Sequence, residues 1–196
     1  MEGEHDTDGV TGFRGAGVVV CDGAGEEHRI ANAVEWGVAA CERHFLEGVA
    51  MGDALAGLAD GRAYALDTRN VEYWHWDAEP FRLDGLSVYV GVSKDDEDGR
   101  DCRVIAVGAG SPDLRDAVVE KRLAGTDRAW TDATRNARGL RAACTVDRVP
   151  EGKSVLLTAK VNAFWRVDTA SMPVDPLFEV ALELRDSCER EPGFWM

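Results

Sequence analysis

The sequence is poor in lysine, in isoleucine and in long apolar runs. Only four lysines and two isoleucines occur in 196 residues, while 36 acidic residues face 22 basic ones, for a net charge of −14. No apolar run approaches the roughly 20 residues that a membrane-crossing helix needs, so no membrane association is predicted. A surface this acidic repels phosphate backbones, so generic nucleic-acid binding is not expected. The compositional bias favours a GC-rich genome, and the acidity suits a salt-tolerant or halophilic host.

The cysteines are odd in number and widely spaced, and no CxxC pair occurs among them. The first residues, MEGEHDTDG, are acidic and polar, unlike a secretory signal. We therefore predict an intracellular protein with free, mostly buried thiols, located in the cytoplasm or assembled into a virus particle. The five are Cys21, Cys41, Cys102, Cys144 and Cys188.

The chain length suits one sizeable domain. Residues 1–15 are polar and glycine-rich and are predicted to form a flexible arm. Residues 16–186 are predicted to form a single α+β domain, a mainly antiparallel sheet packed against two or three helices. Residues 187–196 form a predicted C-terminal tail that ends in aromatic side chains.

Apolar spacing of three and four residues predicts a long helix over Glu26–Met51, with Gly37 and Gly48 as weak points. Further helical segments are predicted at Asp53–Ala59, at Asp113–Leu123 and at Asp127–Cys144. Two-residue alternation predicts strands, of which the last two should form an antiparallel pair with one solvated face. The strands are Gly17–Cys21, Gly61–Asp67, Val71–Asp77, 86–93, Cys102–Val107, Val155–Val167 and 178–185.

The segment VGAGSPD, between a predicted strand and a helix, is the best candidate for a ligand-binding loop. Backbone amides at a helix start can hold an anion, and Gly108, Gly110 and Ser111 would line such a site. The dinucleotide-binding pattern needs a third glycine, but position 113 is Asp, which would repel a phosphate. An ordinary strand-to-helix turn with Ser111 as the N-cap is the favoured interpretation, and no cofactor is predicted.

Three further sets of residues are weaker candidates for a chemical role. Cys41 and His44 have metal-ligand spacing on one helix, but no second compact pair accompanies them, so no metal site is predicted. The acidic loop over residues 95–99 fails the calcium-loop pattern and is better explained as a solvated hairpin tip. His75 and Asp77 share a strand face and could form an acid/base pair, although no nucleophile is identifiable.

Charge is distributed unevenly along the chain. Residues 121–148 contain seven basic and three acidic residues, a net charge of +4, so the remainder carries −18. A basic helical face on an acidic body suits contact with an acidic protein surface, including a second copy, and local salt bridging within the fold is an equal alternative. The predicted partner-binding residues are Arg128, Arg135, Arg138, Arg141, Trp74, Trp76, Phe194 and Trp195.

Two functions follow from these observations. The first is a non-enzymatic assembly subunit that self-associates or docks on protein partners, such as a small neck or tail component of a virus particle. The second is a small cytoplasmic enzyme or ligand-binding protein that uses the strand–GAGSPD–helix loop, with His75 or Asp77 in its site.

Overall fold

The computed structural model describes residues 23–67, 80–92, 101–109, 111–125, 129–134, 139–146, 152–163 and 176–188. Helices and strands occupy most of these residues. The helices are α1 (Gly23–Glu47), α2 (Met51–Ala56) and α3 (Pro112–Leu123). The strands are β1 (Tyr64–Leu66), β2 (Phe81–Leu83), β3 (Val88–Val92), β4 (Asp101–Val107), β5 (Trp130–Asp132), β6 (Leu140–Thr145), β7 (Ser154–Ala163) and β8 (Pro176–Arg185).

All eight described strands belong to one sheet, in the order β1-β2-β3-β4-β8-β7-β6-β5, and every neighbouring pair is antiparallel. The sheet consists of two four-stranded meanders. The first, β1–β4, follows α1 and α2, and the second, β5–β8, follows α3. The last strands of the two meanders, β4 and β8, pair at the centre. The predicted α+β class, with a mainly antiparallel sheet in a single domain, is confirmed.

Helix α1 packs closely on β4. A Cβ atom added at Gly37 would lie 2.9 Å from Val104 Cγ1, so glycine permits the two backbones to approach. One turn further along, Cys41 forms a disulfide with Cys102 of β4, with 5.7 Å between the Cα atoms. The helix ends at Glu47, short of the predicted Met51, because Gly48 has a φ of +67°, the left-handed conformation that closes helices.

The main core lies between the helices and one face of the sheet, which we call the helix face. Alternate residues of each central strand point toward the helices, as the two-residue period of a strand requires. The largest fully buried members on β4, β7 and β8 are Val104, Leu157, Phe178, Val180 and Leu182.

An ion-pair cluster joins α1 to α3. The guanidinium of Arg122, with 3% of its side chain exposed, donates to Glu35 Oε2 at 2.5 Å and to Glu42 Oε1 at 3.1 Å. The Lys121 ammonium also lies 3.0 Å from Glu35 Oε2. Both carboxylates come from α1, so this cluster fixes the two helices relative to each other.

The predicted start of α3 is confirmed. The Ser111 side chain accepts a hydrogen bond from the Asp113 amide at 3.2 Å, and Pro112 occupies the first helical position. The acidic first turn and the basic last turn, with Lys121 and Arg122, suit the helix dipole.

The predicted helix over Asp127–Cys144 is wrong, because the described residues in this range form β5 and the start of β6. Ala142, Ala143 and Cys144 are all fully buried, with α3 above one face of β6 and Cys188 against the other. A strand that is buried on both faces loses its alternation, and an alanine-rich run then resembles a helix.

The last two strands, β7 and β8, pair as predicted, over ten residue pairs. The expectation that one face of this strand pair is solvated is wrong. Leu156 retains 9% of its accessible surface, Glu179 7% and Ala181 6%. Acidic residues in a two-residue pattern therefore do not mark a solvent-exposed face here.

The expectation of free thiols is also wrong for four of the five cysteines. Besides Cys41–Cys102, Cys144 on β6 is bonded to Cys188, three residues beyond β8, with 6.1 Å between the Cα atoms. Disulfides persist mainly in oxidising surroundings, including virion surfaces. The thiol argument for an intracellular location therefore no longer holds, and the cytoplasmic location stays a prediction.

Several predictions concern residues outside the described ranges. These include the arm over residues 1–15, the strands Gly17–Cys21 and Val71–Asp77, the acidic hairpin tip, and the tail beyond Cys188. Among the helices that are described, none combines the length and apolar character needed to cross a membrane.

Candidate functional site

The face of the sheet opposite the helices, here called the second face, carries a set of charged side chains. Because Cys102 points to α1, its neighbours Asp101 and Arg103 point to the second face. The strand register places Glu183 opposite Asp101 and Ala181 opposite Arg103. In the same way Lys160 of β7 lies opposite Glu179 of β8. Three neighbouring strands thus bring acids and bases together, although the residues are far apart in sequence.

These side chains form ion pairs along and across the strands. Arg103 Nε donates to Asp101 Oδ2 at 2.7 Å and lies 3.8 Å from Glu179 Oε1. Lys160 Nζ lies 3.0 Å from Glu179 Oε2. Arg185 Nε donates to Glu183 Oε2 at 2.8 Å. We call this set the second-face charge cluster; its members are Asp101, Arg103, Lys160, Glu179, Glu183 and Arg185.

The side chains of the cluster differ in how much of their surface is exposed to solvent. Asp101 and Glu179 are buried, whereas the side chains of Lys160 and Arg185 keep 39% and 37% of their surface exposed. A small apolar patch lies on the same face beside the cluster, formed by Tyr89, Ile105, Leu177 and Val107. The acids are therefore held in low-dielectric surroundings, and part of the neutralising charge stays in contact with solvent.

Asp101 is the most perturbed member of the cluster. Burial raises the pKa of its carboxyl from 3.8 to about 6, partly opposed by the charge and hydrogen bond of Arg103 and reinforced by Glu183 and Glu179. Its Oδ1 atom is buried and has no hydrogen-bond partner, since Arg103 bonds to Oδ2. An ionised carboxylate with one unsatisfied oxygen is costly in a protein interior. The raised pKa moves the ionisation of Asp101 from near pH 4 to near pH 6.

The predicted ligand loop is only partly described. Gly108 has a φ of +80°, the left-handed conformation that turns the chain from β4 toward α3. The hydroxyl of Ser111 serves as the N-cap of α3. Gly110 lies outside the described residues. The arrangement favours the strand-to-helix turn over a phosphate site, because Asp113 also occupies the first helical turn.

Of the predicted basic contact residues, only Arg141 is described, and it lies on a strand rather than on a helical face. Its guanidinium lies 2.8 Å from Glu120 and 3.5 Å from Asp116, both on α3, and 3.8 Å from Asp132 on β5. The contacts of Arg141 therefore favour local salt bridging over contact with an acidic partner surface. Its neighbours Arg128, Arg135 and Arg138 lie outside the described ranges.

His75, Asp77, Trp74, Trp76, Phe194 and Trp195 all lie outside the described ranges. The metal-ligand spacing at Cys41 and His44 is explained differently. Cys41 is consumed by its disulfide, and His44 Nδ1 lies 2.7 Å from the Val49 carbonyl oxygen. Within the described part of the chain, no group of three or more His, Cys, Asp or Glu side chains is arranged to hold a metal ion.

No family model matches the chain, and no curated protein or solved structure is significantly similar to it.

Sequence reasoning missed the second-face charge cluster. Glu179 and Glu183 lie on the strand face that is predicted to be solvated, and the predicted strand begins at Cys102, one residue after Asp101. The available signal was the opposite-charge spacing at i, i+2, in Asp101–Arg103 and Glu183–Arg185. That spacing places both charges on one strand face, but only the register shows that the strands are neighbours.

Proposed function

We propose that the protein is a non-enzymatic structural subunit that self-associates or docks on protein partners, as a neck or tail component of a virus particle would. The observation that carries this proposal is the edge of the sheet. Within the described residues, β1 and β5 each pair on one side only. An edge strand offers backbone groups to which a strand from another chain can add.

The geometry of β1 suits such an addition. The Asp84 amide donates to the Ala63 carbonyl at 2.7 Å, and the Asp67 amide donates to the Pro80 carbonyl at 2.9 Å, so residues 63, 65 and 67 face β2. By alternation, the backbone groups of Tyr64 and Leu66 point away from the sheet. A cleft of about 440 Å³ runs along residues 63–67 and is also lined by Arg82 and Gly85.

Exposed apolar side chains mark both edges. Leu66 on β1 keeps 46% of its surface exposed, and Val146 keeps 61%. Val146 follows β6 directly, and its amide donates to the Ala129 carbonyl beside β5 at 3.0 Å. These are the two exposed large apolar residues of the described part of the chain. Apolar side chains at a sheet edge support association there.

Light scattering coupled to size exclusion, on the full chain at low and high salt, tests the proposal. We expect a mass above that of the 21.3 kDa monomer, and we expect Leu66→Lys to lower it, because a lysine at an edge strand opposes pairing. Val146→Lys is the matched change at the other edge. Dissociation by both variants indicates contact between unlike edges, and dissociation by Leu66→Lys alone indicates contact between two β1 edges. A monomer at every concentration and salt would overturn self-association.

A further inference from the structure

The second-face charge cluster lies on the junction between the two meanders, which we call the central seam. Strands β4 and β8 are the only connection between β1–β4 and β5–β8 within the described sheet. They pair over seven residue positions, from Asp101 opposite Glu183 to Val107 opposite Leu177. Asp101 and Glu183 form the first of these pairs, so a change in their interaction acts at one end of the seam.

Two carboxylates thus lie directly opposite each other on one face. Like charges at directly opposed positions destabilise a strand pair. Each acid has its own arginine two residues along the same strand, Arg103 for Asp101 and Arg185 for Glu183. The two partners differ in burial, however, because Asp101 is almost entirely buried and the Glu183 side chain is 18% exposed. The cost of ionisation therefore falls mainly on Asp101.

Among the described residues, the other charges that face Asp101 do not remove this cost. On β8, Glu179 adds a second negative charge and Arg185 bonds to Glu183. On β7, Lys160 is engaged with Glu179. On β3, which pairs with the other side of β4, the residues Val88–Val92 carry no ionisable group except the phenol of Tyr89. Oδ1 of Asp101 is buried and has no hydrogen-bond partner.

We propose that Asp101 is a proton-binding site that controls the central seam. A proton taken from water binds to Oδ1, while Oδ2 continues to accept from Arg103. The protonated form removes the repulsion with Glu183 and keeps the end of β4 paired with β8. The ionised form holds a buried negative charge whose Oδ1 has no hydrogen bond and which also repels Glu183, and this end of the seam opens. The link between the two meanders then depends on pH between about pH 5 and pH 7.5, a property independent of whether the chain assembles.

Hydrogen exchange on the full, disulfide-intact chain tests the proposal. Protection factors, which remove the intrinsic effect of pH on exchange, are compared at pH 5 and pH 7.5. We expect protection of the amides near Cys102 and Leu182 to fall by up to about tenfold between these pH values, while amides of the β6–β7 pair change little. Asp101→Asn, which cannot ionise, should keep high protection at both pH values.

Two further variants complete the design. Glu183→Gln removes the repelling partner and should weaken the pH dependence, which keeps the test decisive even if Asp101→Asn does not fold. Asp53→Asn, on the exposed side of α2, is the matched control and should behave as wild type. A carboxyl carbon NMR titration of Asp101 reads the proton directly. Equal pH profiles for wild type, Asp101→Asn and Glu183→Gln, or a titration midpoint below pH 4.5, would overturn the proposal.

Discussion

The two faces of the sheet are built from the same strands but differ in the side chains that they bury, which are apolar on one face and partly charged on the other. On the helix face, β4, β7 and β8 present Val104, Leu157 and Phe178 to the helices, and all three side chains are fully buried. On the second face the same strands present Asp101, Lys160 and Glu179. Burial of apolar side chains on the helix face stabilises the fold without requiring a specific partner for each side chain. A buried charge on the second face is tolerated only when it has an oppositely charged or hydrogen-bonding partner. The helix face therefore contributes most of the apolar core, and the second face carries the charge cluster on which the proposed pH response depends.

Two adjacent leucines on β7 give the sharpest test of this contrast. Leu157 points into the helix-face core and is fully buried, whereas Leu156 packs on the second face in a small cluster with Ala142 and Cys144. We expect Leu157→Ala to lower the free energy of unfolding by about 4 kcal/mol and Leu156→Ala by about 2 kcal/mol, because the larger core cannot collapse around the cavity. Urea unfolding measures both. Equal losses would mean that the two faces contribute alike.

The two disulfides extend the comparison, since one lies on each face. Their sequence separations, 61 and 44 residues, predict similar stabilisation of about 4 kcal/mol each in the chain-entropy model. Their accessibility differs, because Cys41 and Cys102 are fully buried and Cys188 is partly exposed. Mild reductant on the folded protein should open Cys144–Cys188 first, as mass spectrometry of alkylated thiols would show. Simultaneous reduction would contradict the difference in burial.

Removing an arginine should also affect the two faces unequally. Arg122→Met leaves Glu35 and Glu42 without their buried partner between α1 and α3, and we expect a loss of about 3 kcal/mol. Arg185→Met on the second face removes a half-exposed partner of Glu183, for an expected loss of less than about 1 kcal/mol. Thermal and urea unfolding of both variants provide the comparison. If Arg185→Met lowered the free energy of unfolding as much as Arg122→Met, the ion pairs of the second face would contribute as much to stability as the buried pairs between α1 and α3.

The sequence predicted the elements that bury a single face and missed the features that depend on contacts between distant parts of the chain. Helix α1, the capped start of α3 and the β7–β8 pair were predicted because their apolar spacing reports a single buried face. The β6 strand was missed because Ala142, Ala143 and Cys144 are buried on both sides. The disulfides were missed because Cys41 and Cys102 become neighbours only when α1 lies on β4. The charge cluster was missed because it depends on register between strands that are distant in sequence.

The pH dependence of stability measures most directly whether the second face holds a buried, proton-sensitive charge. The pKa of Asp101 is about 6 in the folded chain and near 3.8 when exposed, so the folded state binds the extra proton between these values. Stability from this group is therefore greatest at low pH and is lost as pH rises through about 6, by about 2–3 kcal/mol. Urea unfolding of wild type and Asp101→Asn from pH 4.5 to 7.5 isolates this contribution.

We expect the difference in unfolding free energy between Asp101→Asn and wild type to grow in favour of the variant by about 2 kcal/mol across that range. Asp53→Asn, on the exposed side of α2, should leave the wild-type profile unchanged. A difference that stays constant with pH would show that Asp101 is ionised at no special cost, and the assignment of the second face as the responsive side of the sheet would be wrong.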